Sequence, residues 1–146
     1  MPINAKDYLD EVAECEARIH GKIAEIYMLD ALAKKVTATL CEDKVQTSTV
    51  IDKIGNIIAQ IEEEKERLQK SVNHFFKVKS ERIALIEQLD NVLDYKVIHG
   101  KYIRYLELKD IAKEENYTHQ YICEVHNRAL EKIQVLLNNL YKPIES

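Results

Sequence analysis

The chain has 146 residues, 46% of them hydrophobic and 32% charged, with a formal net charge of −4. That is enough apolar material for a core, while the acidic balance excludes a protein that coats nucleic acid with a broad positive field. Only 3 Gly and 2 Pro occur, and Pro2 and Pro143 lie near the ends, so no internal residue forces a break and an all-α fold is expected.

Charge is unevenly spread. Residues 1–95 hold 13 Lys/Arg and 18 Asp/Glu, net −5, whereas residues 96–146 hold 8 and 7, net +1. The acidic excess therefore belongs to the first part, and the near-neutral second part can still touch phosphates locally. Cys15, Cys41 and Cys123 are odd in number and lack zinc-like spacing, which fits free thiols in a reducing compartment. The beginning of the chain has no apolar signal-like run and no segment is apolar for a bilayer's width, so a cytoplasmic location without a membrane partner is expected.

Asn4 can cap a first helix, with Asp7 three residues on where a carboxylate is favoured. Ala5, Leu9, Val12, Ile19, Ile23, Ile26, Ala33 and Leu40 recur at helical spacing. Glu16, Asp30 and Thr37 interrupt that seam and argue against a regular two-stranded coiled coil. An interruption is expected from Cys41 to Thr49, with Ser48 or Thr49 capping a second helix and Asp52 three residues after Thr49. That helix carries Ile51, Ile54, Ile58, Ile61, Leu68, Val72 and Phe75 and is expected to continue through Ile86, Leu89 and Leu93. Lys65, Lys79 and Arg82 fall on the same seam, where aliphatic stems can cover a core. The short connection favours an antiparallel pair, so residues 1–88 are expected to form a long helical hairpin for oligomerisation or docking. Ile57, Phe76, Val78 and Ile83 are apolar in excess of that pairing, which points to a third contact with the terminal module or another subunit.

Residues 89–146 are read as a compact module. Leu89, Val92, Leu93 and Val97 suit a helix leading into Tyr102, Ile103 and Leu106, with Gly100 bending it, allowing close packing, or marking a boundary near His99. A short helix Glu107–Glu114 comes next, carrying Leu108, Ile111 and Ala112. Asn116 and Tyr117 make a turn and Thr118 caps a last helix over about residues 118–137, with Ile122, Val125, Ala129, Leu130, Ile133, Leu136 and Leu137 facing inward. Two helices at this spacing can cross steeply and present the second to a major groove, the helix-turn-helix pattern, although a plain helical bundle can contain the same turn.

With those residues inward, His119, Gln120, Glu124 and Asn127 face outward. The carboxamides of Gln120 and Asn127 can pair with a base edge, Glu124 can accept from cytosine, and His119 can donate. Thr118 and the free amides at the helix start can hold a phosphate, and Tyr121 can reach backbone or sugar. Lys101, Arg104, Lys109, Lys113 and Arg128 are candidates for positioning on phosphates, although Arg128 can instead brace its own helix through Glu124 and Glu131. His119, Cys123 and His126 share helical spacing but lack a fourth ligand, and a buried imidazole anchoring the helices is the plainer reading of His126, so no metal or cofactor is expected. Glu62, Glu63, Glu64 and Glu66 do not converge, and neither Cys15 nor Cys41 has a base placed for nucleophilic chemistry. No glycine-rich phosphate loop is present, and the expectation is a non-enzymatic protein.

The order Asp43-Lys44-Val45-Gln46-Thr47-Ser48, Asp52-Lys53, Lys101-Tyr102-Ile103, Ile111-Ala112, Asn116-Tyr117-Thr118, Ile122, His126 and Arg128-Ala129-Leu130 resembles the ArpU and RinA group of phage and prophage transcriptional regulators. The terminal module also resembles sigma-factor region 4. The resemblance implies that the helix after Thr118 enters DNA, with His119, Gln120, Cys123 and Glu124 at the bases. Cys123 stands where relatives often carry a larger polar residue, Lys101 where arginine is common, and Asn116 where a turn glycine is common. It further implies control of phage or prophage genes, late or lytic ones among them, inside a bacterial host. Double-stranded promoter or operator DNA is the expected partner, with self-association and RNA polymerase as further ones; a non-enzymatic helical adaptor or assembly protein is the competing expectation.

Overall fold

The computed structural model describes residues 3–43 and 48–142, with side chains for all of these except 40–43. The described chain is all-α: α1 Ala5–Asp43, α2 Ser48–Ile86, α3 Val92–Tyr102, α4 Leu108–Glu115 and α5 His119–Leu140. It divides into two compact units, Cys15–His74 on the one hand and Met1–Glu14 with Phe75–Ser146 on the other. No described helix is long and apolar enough to cross a membrane.

Asn4 caps α1 as expected, its Oδ1 accepting from the N–H of Lys6 at 2.9 Å and of Asp7 at 3.2 Å. The helix runs through Cys41 to Asp43, three residues into the stretch 41–49 where the interruption was expected. Ser48 and Thr49 are the first two residues of α2 rather than its cap. The cap position before them and the side chains of Leu40 and Cys41 lie outside the described residues.

In the unit Cys15–His74, the half-buried residues of α1 include Cys15, Ile19, Lys22, Ile26, Leu29, Ala33 and Val36, stepping alternately by four and three. On α2 the same alternation runs through Ile54, Ile57, Ile61, Glu64, Leu68 and Ser71. An average step of 3.5 residues keeps one stripe facing a neighbouring helix. The sequence expectation placed this stripe partly one position off. Glu16 and Asp30 lie half-buried at its margin and Thr37 is exposed, so they flank the seam instead of breaking it. Likewise Ile57 is buried while Ile51 and Ile58 are exposed, because moving one residue along a helix turns the side chain by about 100°. Polar seam residues pair across: Lys22 Nζ lies 2.9 Å from Glu64 Oε2, and that hydrogen bond holds the Glu64 carboxyl below the ordinary range.

In the other unit, α2 stops at Ile86, against its expected continuation through Leu93. The N–H groups of Gln88 and Leu89 bond to the carbonyls of Leu85 and Ile86 at 3.1 and 3.0 Å, tightening the last turn. Asn91 then caps α3, its Oδ1 accepting from Leu93 and Asp94 N–H at 2.9 and 3.1 Å. Val92, expected on the inner face, is the exposed first residue of α3. The core draws on Leu9 and Val12 of α1, Val78, Leu85 and Ile86 of α2, and the inner faces of the three shorter helices. Of the four surplus apolar residues, Ile57 and Val78 are buried and Ile83 half-buried, but Phe76 stays exposed.

Gly100 lies inside α3, and the close-packing alternative is the one realised: a Cβ there would meet Ile111 Cδ1 at 3.0 Å. The α3 helix closes with Leu106 N–H bonded to Gly100 O at 2.9 Å and with Tyr105 in the left-handed region at φ 60°. Arg82 sits on the seam as expected but is buried. Its guanidinium lies 3.6 Å from the Tyr8 ring centroid, its Nε donates to Tyr8 O at 3.1 Å, and its Nη2 pairs with Glu11.

Candidate nucleic-acid interface

The α4–α5 segment is built by local signals that the sequence carries openly. α4 spans Leu108–Glu115, one residue later than expected. Asn116 ends it in the left-handed conformation, φ 61° and ψ 41°, with its N–H on the carbonyls of Ala112 and Lys113. Asn reaches this region at lower cost than most residues because its short polar side chain bonds locally. Thr118 caps α5, its Oγ1 accepting from Tyr121 N–H at 3.1 Å. The amides of His119 and Gln120 at the helix start have no carbonyl one turn earlier within α5 to bond.

Ile122 and Val125 of α5, Ile111 and Ala112 of α4, and Val97 of α3 form one buried cluster, with Leu93, Leu106 and Leu108 packed on it. Removing an Ile or Val side chain from water contributes about 1.5–3 kcal/mol each, which is what fixes the face that α5 turns outward. Ala129, Ile133 and Leu137 extend the buried stripe, while Leu130 and Leu136 are only half-buried at its margin. The outward face carries His119, Gln120, Glu124 and Asn127, all exposed, with Cys123 half-buried between them. Thr118 and Tyr121 are exposed beside the turn, and the Tyr121 and Tyr117 rings lie 4.9 Å apart.

The phosphate candidates divide by what holds them. Arg104 makes a two-pronged pair with Glu114, both distances 3.1 Å, and Lys109 pairs with Glu107 at 3.1 Å. Arg128 reaches across to α3, donating to Asp94 Oδ1 at 2.8 Å, instead of bracing its own helix through Glu124 and Glu131. Lys101 is half-buried, its Nζ 6.0 Å from the Tyr102 ring centroid. Lys113 is exposed and, among the described residues, makes no ion pair.

Two polar locks hold α5 to α3, of which sequence reasoning anticipated a buried His126 but neither its Tyr102 partner nor the Asp94 pair. Asp94 is fully buried and takes Lys132 Nζ on Oδ2 at 2.6 Å as well as Arg128 on Oδ1. Burial pushes the Asp94 carboxyl up, and hydrogen bonds from Arg128 and Lys132 more than offset it, so the group is held below the usual carboxylate range. His126 is the buried, bonded imidazole expected of it: its Nε2 lies 2.8 Å from Tyr102 Oη, and burial lowers its pKa. Burial also raises the Tyr102 hydroxyl well above the ordinary tyrosine range. A buried polar residue separated by dozens of positions from its partner leaves no local signature of that partner, so the sequence showed only an Asp on an apolar stretch and a His beside the inward stripe.

No family model, curated protein or solved structure matches the chain, so the reading of this face rests on its own residues.

Proposed function

We propose that the protein is a sequence-specific, double-stranded DNA-binding transcriptional regulator of phage or prophage genes. In this reading residues 89–146 act as a sigma region 4-like helix-turn-helix module, with α4 supporting and α5 reading the major groove. Residues 1–88 serve as a long antiparallel hairpin for oligomerisation or for docking to RNA polymerase. The observation that carries the reading is the α5 face. His119, Gln120, Glu124 and Asn127 stand outward on a helix whose opposite side is sealed, directly after a tight, capped turn. Carboxamides in that position offer a donor and an acceptor to adenine, and Glu124 offers an acceptor to cytosine. Thr118 with the free amides of the first turn, Tyr121, Lys113 and Lys101 place the module on phosphate and sugar. Arg104 and Lys109 join them by exchanging an exposed carboxylate partner for a phosphate, and Arg128, held by Asp94, offers its remaining N–H donors.

Fluorescence anisotropy with prophage promoter fragments and with unrelated duplex tests this. Binding to promoter fragments that survives moderate salt and is footprinted at one site supports it. The absence of binding to either DNA at low salt overturns it. Gln120→Ala and Asn127→Ala then relax sequence preference, each by about 1–3 kcal/mol of discrimination at one base pair. Lys113→Ala weakens all sequences alike and lowers the salt slope by about one.

A second reading, a non-enzymatic helical adaptor or assembly protein, is favoured by one observation. Three of the cations around the module are already engaged by Glu114, Glu107 and Asp94, which lowers its pull on phosphate. Binding of a protein partner through residues 119–127 without DNA affinity selects it.

A further inference from the structure

We infer that two copies of this chain pair through one flank of α1, over residues 17–39, about a two-fold axis that sets the two α1 helices antiparallel. The inference rests on the unit Cys15–His74 alone and is independent of the DNA reading.

The seam of that unit is one-sided, its residues half-buried apart from Ile57. Beside it Met28 is 71% exposed and Leu32 41% exposed, one turn apart on the same face. Ala17, Gly21 and Ala24 continue that face and are all exposed, and nothing lies within 4 Å of the position a Cβ would take on Gly21. Two hollows lie along the flank. The first, roughly 470 Å³, is lined by Met28 and Leu29 together with Glu25, Glu63, Glu64 and Arg67. The second, roughly 330 Å³, is lined by Leu32, Val36 and Val50 together with Lys35 and Lys53. Arg67 is engaged by Glu63 and Glu64 at 2.8 and 2.9 Å, and Lys22 by Glu25 and Glu64 at 3.3 and 2.9 Å, so three carboxylates face two cations and the first hollow keeps a small acidic excess. Lys35 and Lys53 make no ion pair among the described residues.

A face with an acidic hollow at one end and a basic hollow at the other matches a copy of itself turned end for end. A two-fold axis perpendicular to the helices lays each acidic hollow on the other copy's basic one. Glu25 then meets Lys35, Glu63 meets Lys53 and Met28 meets Leu32, each contact made twice. An axis parallel to the helices would instead stack acid on acid. The small residues let the α1 backbones come to the near end of the usual 8–10 Å interaxial range, roughly, so that Met28 and Leu32 fill the two hollows.

Sedimentation velocity on the full chain tests the pairing. A species at twice the 17.0 kDa chain mass is expected, with the helical content of every variant checked by circular dichroism. Glu25→Lys and Lys35→Glu singly weaken the dimer about tenfold or more, and the double swap returns it to within about threefold of the parent. Ile58→Ser, an exposed apolar change on the other side of the α2 seam, leaves the dimer intact. The proposal is overturned by a monomer at all concentrations up to about 100 μM. It is equally overturned by single swaps without effect, by a double swap that does not rescue, or by a dimer that Ile58→Ser dissociates.

Discussion

Replacing Asp94 by Asn removes a charge from a fully buried site without changing its shape. The carboxylate receives Arg128 at 2.8 Å and Lys132 at 2.6 Å, and the two cationic side chains are 46% and 47% exposed. A charge-assisted hydrogen bond contributes about 1.5–3 kcal/mol when both partners are protected. Because Arg128 and Lys132 recover much of their hydration when released, the lower end applies, giving about 3 kcal/mol for the pair of bonds. Asn keeps one acceptor but turns an amide NH₂ toward a cation, so Asp94→Asn is expected to cost about 2 kcal/mol and Asp94→Ala about 3 kcal/mol. The assay is urea unfolding followed by circular dichroism, with amide hydrogen exchange in α3 and α5 reporting the local loss. The pH dependence has a definite sign. A carboxyl held below its unfolded value stabilises the fold fully above about pH 4–5, and that stabilisation is lost as pH falls through the folded pKa. The gap between parent and Asp94→Asn therefore closes in strong acid. A cost under about 0.5 kcal/mol at pH 7, the worth of an exposed pair, would refute the reasoning.

The same unit yields three more expected outcomes. Thr118→Ala removes the bond from Tyr121 N–H and should lower stability by about 1 kcal/mol, read as a shifted urea midpoint. Asn116→Val places a β-branched residue at φ 61° and should cost about 1–2 kcal/mol, whereas Asn116→Gly is tolerated, as a thermal melt of both variants would show. His126 is kept neutral by burial, with its pKa lowered, so stability is full above its unfolded value near 6.5 and falls as pH drops below it; melting at pH 7.5 and 5.5 should show a decline that His126→Gln reduces.

Both units also indicate where sequence reading was sufficient and where it was not. The all-α class, the caps at Asn4 and Thr118, the left-handed Asn116 and the inner stripe Ile122–Val125–Ala129 are decided within one or two helical turns, where side-chain spacing and backbone hydrogen bonding operate. The outward positions of His119, Gln120, Glu124 and Asn127 followed from that stripe. The seams of α1 and α2 were legible only to within one position, because Ile57 and Ile58 are equally apolar and the neighbouring helix chooses between them.

The amino-acid order alone determined the all-α class, where α1 and α5 begin and which face of α5 must leave water. Tertiary structure alone decided what the charges do. Arg128 finds Asp94 34 residues away, Arg82 finds Tyr8 O 74 away, and Gln134 accepts the Ala5 N–H across 129. Such partners are selected by packing in three dimensions: a charge leaves water only where the fold has already placed its counterpart, and no periodicity along the chain encodes that meeting.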